Sequence, residues 1–369
     1  MVPAMVDECR NEMARRYVSA FAGAGSGAYI RNLRTIVTCH QWGGALLPMT
    51  INDGEPQDTF VCSPWVGYID YTREELSRFP NPALVPALKA VIACVAKVLK
   101  FAEIDKIVHI NNWMMSTNLL PSLDCNLVSA ETRELTLRFP NHFLAIRSLT
   151  GRRHRPLMMS LEAEGWVLLP SRQIFIADDI GYQMTRRRDL KRDEALWKRS
   201  SFRYEELETI GQRDAERVAE LYAMLYLEKY SFLNPAYTAD FIMMSHEIGM
   251  IRYLVHRDQD GLIQSFVGLH RLGGDATVPL MGYNTAREQE AGLYRLGFHA
   301  GTRCAAQQGL SLNMSSGATG FKMSRGASAE IEYTAFYFRH LPWVRRIPMR
   351  VLAAVAHGIG IPMLKKYQL

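Results

Sequence analysis

The sequence lacks the patterns that mark several common chemistries. Its six cysteines are scattered, with no CxxC pair and no histidine at metal-ligand spacing, which argues against a disulfide framework and against a zinc site. It contains no Walker loop, GxSxG elbow or HExxH motif, so nucleotide hydrolysis, serine hydrolysis and zinc proteolysis have no support. We therefore expect reduced thiols, no metal site and a cytoplasmic location.

Continuous apolar runs are also short. The first residues carry acids early and include no apolar core of a secretory leader, so none is expected. The run AVIACVAKV, which begins at Ala90, is interrupted by Lys97 and predicts a buried helix. We expect no integral membrane segment.

The composition is that of a globular protein with an excess of positive charge. The 369 residues are 48% hydrophobic and 22% charged, a length and composition that suit two domains of ordinary size. The formal net charge of +6 favours anionic partners such as CoA phosphates, an acidic carrier protein or RNA, without choosing among them.

Apolar periodicity divides the first half into strands and helices. Its predicted elements are, in order, the strands LLPMTIN and TFVCSPWVGYID, a helix over Pro82–Lys100, a strand over Lys106–Ile110, a short segment capped by Ser116, the alternating strand RELTLRF, a helix at 152–165, and the strand WVLLPSRQIFI. A charged stretch at 185–199 follows, with seven basic and three acidic side chains, and predicts a helix.

The second half has a clearer pattern. The strand SFRYEELE precedes a helix at 214–230 and a helix capped by Thr238. Three strands, MIRYLVHRD, GLIQSFVGLHRL and TVPLMGYNT, are connected at hairpin signals. A long helix at 292–308 is followed by a strand, a short Gly-bounded helix and a final strand.

This order of elements resembles that of the GCN5-related N-acetyltransferase (GNAT) fold. The first half resembles a degenerate copy of its later part, with a strand through Tyr68, a helix from Pro82, a strand at Ile107, a short helix at Ser116 and a strand at Leu135. Two such domains joined by a basic helix resemble the FemAB and CelD-type branch of the superfamily. The motifs that carry this resemblance are Arg186-Arg187-Arg188 and Lys191-Arg192 in the linker, and Phe321-Lys322 and Arg325-Gly326 in the short helix.

The resemblance implies an α+β fold of two tandem GNAT-like domains, each a mixed, mostly antiparallel sheet flanked by helices. The expected bounds are 1–184 for a degenerate N-terminal domain, 185–200 for a basic helical linker, 201–344 for the C-terminal domain and 345–369 for a basic and apolar C-terminal helix.

One feature of the superfamily is absent. Its acetyl-CoA-dependent members carry a glycine-rich loop whose backbone N–H groups hold the pyrophosphate at a helix N-terminus. The equivalent residues 283–292 contain one glycine and two glutamates, which would repel a pyrophosphate. FemAB-like proteins, which the resemblance connects with aminoacyl-tRNA, also lack this loop.

The short helix after the penultimate strand supplies the first catalytic candidate. Lys322 follows two glycines there, so main-chain N–H groups and a cation converge on a position suited to a carboxylate, a phosphate or an acyl oxygen. Tyr283 is a candidate for proton movement, and Glu332 and His270 are the proton acceptors available on predicted strands. The alternatives are a solvated surface helix, a core tyrosine and satisfied strand residues.

The candidate substrate-binding residues are polar or aromatic side chains near the ends of these elements and in predicted lids. They are Arg325, Asn284, Tyr294, Arg295, Tyr226, Lys229, Tyr230, Ser231, Asn234, Ser315, Ser316, Trp65 and Arg147. Capping, turn formation and core packing are the alternative roles of these residues.

The resemblance implies an N-acyltransferase that forms an amide by transferring an acyl group from a thioester, on CoA or a carrier protein, to a small-molecule amine. No cofactor is expected to be tightly bound; acyl-CoA, acyl carrier protein or aminoacyl-tRNA are the candidate co-substrates. The alternatives are an aminoacyl-tRNA-dependent FemAB-like transferase and an inactive GNAT-like module that binds a ligand or partner. The sequence predicts no oligomeric state.

Two basic segments leave further alternatives open. The linker has the charge to contact RNA phosphates, but a helical charge run is more often a solvated face. The C-terminal segment combines basic residues with apolar ones; a terminal helix docked on the protein is favoured over one lying on an anionic membrane.

Overall fold

A computed structural model describes residues 3–55 and 57–367, and their strands form one mixed sheet. Its eleven strands are β1 (Ile36–Trp42), β2 (Ala45–Asp53), β3 (Lys106–Ile110), β4 (Phe143–Thr150), β5 (Val167–Ala177), β6 (Arg203–Glu206), β7 (Arg252–Arg257), β8 (Ile263–Leu272), β9 (Asp275–Tyr283), β10 (Ser311–Asn313) and β11 (Ser328–Tyr337). The order across the sheet is β1-β2-β3-β4-β11-β5-β10-β9-β8-β7-β6.

Helices cover both faces of this sheet. They are α1 (Pro3–Ala24), α2 (Ser26–Tyr29), α3 (Tyr71–Glu75), α4 (Val85–Lys100), α5 (Val128–Arg138), α6 (Gly151–Glu164), α7 (Ile180–Arg186), α8 (Arg188–Arg199), α9 (Gln212–Tyr222), α10 (Ala239–Glu247), α11 (Leu293–Gln307), α12 (Thr319–Ser324), α13 (Trp343–Val355) and α14 (Ile361–Tyr367). The π-helical segment Ala223–Tyr230 continues α9, and the π-helical segment Ala356–Gly360 joins α13 to α14.

The second half has the GNAT element order expected from the sequence. β7, β8 and β9 are antiparallel neighbours, and α11 leads from β9 to β10, which runs parallel to β9. In the first half, β3 and β4 form a second parallel pair. The predicted fold of mixed, mostly antiparallel sheets flanked by helices is therefore confirmed, with the strands of both halves in one continuous sheet.

The last strand connects the halves. β11 belongs to the second half in sequence, yet it lies between β4 and β5 of the first half and is antiparallel to both. β5 in turn pairs with β10 of the second half. Residues of β5 and β11 consequently meet at the centre of the sheet, where the two halves join.

Two predicted strands of the first half are wrong. TFVCSPWVGYID forms turns and then a π-helical segment, Val66–Asp70, because the Ser63 hydroxyl accepts a hydrogen bond from the Val66 amide as a helix cap does. RELTLRF lies in α5, where Val128, Thr132 and Leu135 form one buried face and Leu137 is exposed. The short helix predicted at Ser116 is absent from this described stretch, and the sequence reading overlooked β4 altogether.

The helix predicted over Pro82–Lys100, as amphipathic or buried, forms and is amphipathic; the fully buried helix expected for the run from Ala90 is wrong. Of the residues in α4, only Val95, Ala96 and Leu99 are buried. Two helices, Pro82–Lys100 and Trp343–Tyr367, are long and apolar enough to cross a membrane by length and composition, which the sequence reading had not found. The predicted linker helix is divided into α7 and α8 at Arg187.

Candidate functional site

An ion pair at the centre of the sheet anchors the candidate site. Arg172 on β5 lies directly opposite Glu332 on β11, and the Arg172 Nε is 2.9 Å from Glu332 Oε1. Glu332 is buried, whereas the Arg172 side chain keeps 20% of its surface accessible. A buried carboxylate needs such a partner, because an unpaired charge in the interior is costly.

The rest of the Arg172 guanidinium is held so that one nitrogen stays open. Nη2 donates to the carbonyl of Ser116 at 2.6 Å and to the Thr117 hydroxyl at 2.8 Å. Nη1 has no hydrogen-bond partner among residues 3–55 and 57–367, and it is not among their buried unsatisfied atoms. This nitrogen can therefore donate to an anionic or carbonyl oxygen of a ligand.

Lys322 lies near this cation, on α12. Its Nζ donates to the carbonyls of Ser316 at 2.6 Å and Ser315 at 3.1 Å, and lies 5.7 Å from the ring centroid of Phe175. The side chain is buried. Burial, reinforced by the positive charge of Arg172, lowers the pKa of Lys322 to about 7.

The loop before α12 aims those carbonyls at Lys322. Ser315 and Ala318 have φ values of 59° and 50°, the left-handed region in which non-glycine residues are uncommon. Gly317, between them, has φ 75°. Three left-handed residues reverse the chain between β10 and α12, and the turn brings Ser315 and Ser316 over the lysine that follows them.

Helix α3 of the first half lies close to this centre. The Glu75 side chain is open to solvent, yet the surrounding protein raises its pKa, against the lowering effects of Arg78 and Arg172. Tyr71 also has a raised pKa because of burial, and Arg172 acts on it in the opposite direction. Because the Glu75 side chain is accessible and yet has protein on most sides, we infer that it lies in the wall of a cleft beside Arg172.

Aromatic residues of the second half lie near the same centre. Tyr226, in the π-helical segment Ala223–Tyr230, has a pKa raised by burial and lies within the electrostatic influence of Tyr71 and Arg172. Its ring contacts that of Tyr230 at 5.8 Å between centroids. Helical π segments are frequent at functional sites because they redirect side chains.

A second aromatic series links the end of β9 to α12. The Tyr283 and Tyr294 ring centroids are 6.0 Å apart, and Tyr294 contacts Phe321 at 5.0 Å. Lys229 donates to the Tyr283 hydroxyl at 3.1 Å, which raises the pKa of the lysine. These residues, predicted from the sequence to belong to one site, do lie together.

Two predicted substrate-binding arginines instead share a buried aspartate. Asp193 of α8 is fully buried, and its carboxylate is 2.6 Å from the Arg325 Nε and 2.7 Å from the Arg295 Nε. The Arg325 guanidinium also stacks on Phe321 at 3.4 Å. These contacts connect the linker helix to α11 and α12, and they position the helix that carries Lys322.

Four further predicted residues make internal contacts near the cleft. Ser231 donates a hydrogen bond to the Glu74 carboxylate, and the Asn234 amide donates to the carbonyls of Tyr226 and Ser231. Asn284 pairs with Gln264 at 2.9 Å. The Trp65 amide donates to Asp105 at 3.0 Å, in the segment that precedes α3.

Arg147 contributes a second cation to the interior. Its Nη1 donates to the carbonyls of Val61 and Met115 and to Asn112, and its guanidinium lies over the Phe60 ring. Burial lowers the pKa of Arg147, and Glu332 raises it. The one carboxylate of Glu332 thus acts on two arginines, and Arg172 in turn acts on Lys322, so positive charge is in excess at this centre and favours anions.

His270 is not brought to this cluster. Its Nδ1 is 2.8 Å from the Met250 carbonyl oxygen, and its ring contacts Trp113 in the core. Burial lowers the pKa of this histidine. Among the described residues, no group of three or more His, Cys, Asp or Glu side chains is arranged to hold a metal ion.

The connection from β9 to α11 bears on the binding of CoA. Glu288 and Glu290 are exposed there, and Gly292 starts α11 without a side-chain cap. Carboxylates beside a helix N-terminus occupy the position at which a pyrophosphate would be held in the glycine-rich arrangement.

The sequence indicated Arg172 only as a polar insertion in an apolar strand, with turn formation or capping as its favoured role, and it did not indicate Glu75, Tyr71 or Asp193. Arg172 interrupts an apolar strand, which is the one signal that marks it in the sequence. Asp193 is an acid within a basic run, and its interior position follows from the packing of α8 on α11 and α12.

No family model matches the sequence, and no curated protein matches it. Solved structures that are similar to this chain include FemX, at 11% identity and a TM-score of 0.49, over 61% of this chain and 81% of that one. L-PGS from Bacillus licheniformis matches at 13% identity and a TM-score of 0.48, over 77% and 98% of the two chains. A tandem GNAT protein from the clavulanic acid biosynthesis pathway matches at 11% identity and a TM-score of 0.37, over 62% of this chain and 75% of that one. At these values none of the three assigns a substrate to this chain.

Proposed function

We propose that this chain transfers an acyl or aminoacyl group from an activated ester or thioester to an amine, forming an amide in the cleft around Arg172. The observation that supports this most directly is the proximity of an open guanidinium nitrogen to a lysine whose pKa is about 7. Acyl transfer to an amine needs a donor for the developing oxyanion and an acceptor for the proton of the amine.

Lys322 is suited to accept that proton. A neutral amine has two N–H groups, and the carbonyls of Ser315 and Ser316 can engage both. Its lone pair is then left for the attacking amine. The optimum pKa for a general base lies near the working pH, and burial moves the pKa of Lys322 to about 7.

Arg172 would stabilise the oxyanion. As the nitrogen of the acceptor bonds to the donor carbonyl carbon, negative charge develops on the carbonyl oxygen, and Arg172 Nη1 can donate to it. Glu332 holds the guanidinium in a fixed orientation. Collapse of the intermediate breaks the bond to the thiol or alcohol of the donor, which leaves with the proton from Lys322.

Glu75 and the tyrosines would select the acceptor. A carboxylate in the cleft wall attracts an ammonium group, and the rings of Tyr226, Tyr230 and Tyr294 offer apolar or cation–π contacts. Tyr283 and Lys229 form a polar rim beside them.

The donor is proposed to be held by its acyl end. Glu288 and Glu290 at the start of α11 disfavour the pyrophosphate of free acyl-CoA, so an acyl carrier protein is the preferred thioester. Aminoacyl-tRNA is the second candidate, favoured by the exposed basic side chains of α8.

Native mass spectrometry with three donors tests this proposal. The protein is mixed with acyl-CoA, acyl carrier protein or aminoacyl-tRNA, and bound mass is compared with that of the Arg172→Met/Glu332→Met variant. We expect retention of one acyl-bearing donor by the wild type and its loss in the variant. Retention of none of the three by the wild type overturns the proposal.

A further inference from the structure

Two helical segments expose an extended apolar surface on the first half. α13 presents Trp343, Ile347 and Val351 to solvent, with Trp343 65% and Ile347 50% exposed. The π-helical segment after α13 adds exposed Ile359. α4 packs beside α13 and has partly accessible apolar residues such as Leu88 and Ile92. We call α4 together with Trp343–Tyr367 the basic apolar surface.

The inner side of this surface is part of the protein core. Val95 and Leu99 of α4 are buried in one cluster with Met349 and Leu352 of α13 and with Phe336 of β11. In the most apolar stretch of Pro82–Lys100, and likewise in that of Trp343–Tyr367, only 17% of the residues are buried. The helices are therefore attached to the sheet along one stripe, while Trp343, Ile347, Val351 and Ile359 remain exposed.

The charge of these segments is of one sign. Residues 81–100 and 342–369 together contain eight lysines and arginines and no aspartate or glutamate. The rest of the chain has 35 basic and 37 acidic residues, a formal charge of −2 against +6 for the whole. The excess positive charge of the protein thus lies in the two segments that form the basic apolar surface.

We propose that the basic apolar surface docks on an anionic lipid bilayer, with the helices lying in the interface. Apolar residues and a tryptophan would enter the boundary between headgroups and acyl chains, where amphipathic helices bind. Long basic side chains such as Arg350, Lys365 and Lys366 would reach the anionic headgroups. A spanning arrangement would require both helices to leave the core cluster that holds Val95 and Met349.

Docking would also orient the cleft. Phe79 contacts Tyr367 at the end of α14, with 4.7 Å between the ring centroids. The neighbouring Arg78 donates to the carbonyl of Tyr230 at 2.9 Å, and the same chain segment continues from α3, which carries Glu75. The basic apolar surface therefore adjoins the cleft wall, whatever reaction the cleft performs.

Flotation with vesicles of defined composition tests the docking proposal. The full-length protein is mixed with vesicles of phosphatidylcholine alone or with about 30% phosphatidylglycerol, an anionic lipid content that gives a negative surface potential. We expect flotation with the anionic vesicles, weaker flotation with the neutral ones, and release by high salt. Trp343→Glu/Ile347→Glu should abolish flotation.

Matched variants distinguish docking through this surface from nonspecific hydrophobic adsorption to vesicles. Leu137→Glu/Met159→Glu alters two equally exposed apolar residues on α5 and α6 and should float like the wild type. Arg350→Gln/Lys366→Gln should weaken binding to anionic vesicles by about fivefold for each charge removed. Circular dichroism of each variant verifies that it is folded.

Three results would overturn the proposal. The first is equal flotation of the wild type and Trp343→Glu/Ile347→Glu. The second is retention of the wild type in the membrane after alkaline carbonate extraction, which indicates insertion instead of docking. The third is a dimer in analytical ultracentrifugation that Trp343→Glu/Ile347→Glu dissociates, together with absence of flotation, which assigns this surface to a second copy of the chain.

Discussion

Arg172 and Glu332 are 160 positions apart in sequence, yet they face each other on adjacent strands, with 2.9 Å between Nε and Oε1. Their meeting depends on the insertion of β11 between β4 and β5. The same strand insertion places Lys322, on the helix just before β11, near the first half of the protein. The candidate site is consequently a product of the way the halves join.

The rate of amide formation should rise with pH through the range around 7. Lys322 has a pKa of about 7 and must be neutral to accept a proton, so the active fraction increases as pH rises through that value. We expect the rise of the rate around pH 7 to disappear in Lys322→Met, whose residual rate should be lower than that of the wild type by about 10²- to 10⁴-fold. If the rate of Lys322→Met still rises with pH as that of the wild type does, the titrating group is not Lys322.

The depressed pKa of Lys322 also predicts a pH-dependent stability. Between about 7 and the model-compound value of 10.5, the unfolded chain binds a proton at this position that the folded chain does not. The free energy of unfolding should therefore gain from Lys322 about 1.4 kcal/mol per pH unit as pH rises through this window. Urea unfolding of wild type and Lys322→Met at pH 7 and at higher pH measures the effect. The free energy of unfolding of the wild type minus that of the variant should rise by that slope, and a constant difference would contradict the assignment.

Removal of one partner of the central ion pair should destabilise the protein more than removal of both. Arg172→Met leaves the buried Glu332 carboxylate without its partner, a change that typically costs about 3–5 kcal/mol. Arg172→Met/Glu332→Met should recover most of this stability but none of the transfer activity. Denaturant unfolding of the single and double variants measures the stability, and turnover measures the activity. An active double variant would exclude Arg172 from the reaction.

Asp193→Asn should loosen the helix that carries Lys322. The buried Asp193 carboxylate pairs with Arg325 and Arg295, so its neutralisation leaves the buried Arg325 with only the more distant Asp189, at 4.0 Å, as a counter-charge. Breaking a buried pair of this kind typically costs about 3–5 kcal/mol. Glu12→Gln, in an exposed pair with Arg15, is the control and should change stability by less than about 1 kcal/mol. Hydrogen exchange of α12 should accelerate in Asp193→Asn alone; unchanged exchange there would refute the positioning role.

Much of the second half could be predicted from its sequence because each element has one clear period. β7, β8 and β9 follow strand patterns bounded by turn residues, and Thr238 caps α10 as expected. In the first half, Leu135 and Leu137 alternate like strand residues, although Leu137 is exposed on a helix. An alternating pattern cannot reveal which of its apolar residues will find a partner.

The candidate site was predictable in part. Lys322, Tyr283 and Tyr294 were identified because they lie near the ends of elements in a regular fold. The importance of Arg172 depends on its pairing with a distant strand, and strand pairing over such separations is set by packing of the whole sheet. Arg325 appeared free in sequence because nothing in the sequence indicates that Asp193 is buried beside it.

Amide formation by wild-type protein and by Lys322→Met tests the central claim most directly. Each donor, as acyl-CoA, acyl carrier protein or aminoacyl-tRNA, is incubated with a mixture of small-molecule amines, and the products are analysed by mass spectrometry. We predict an amide product with one class of donor for the wild type and a loss of at least about 10²-fold in Lys322→Met. Equal product from both proteins, or no product from any donor above the rate without protein, would contradict the account.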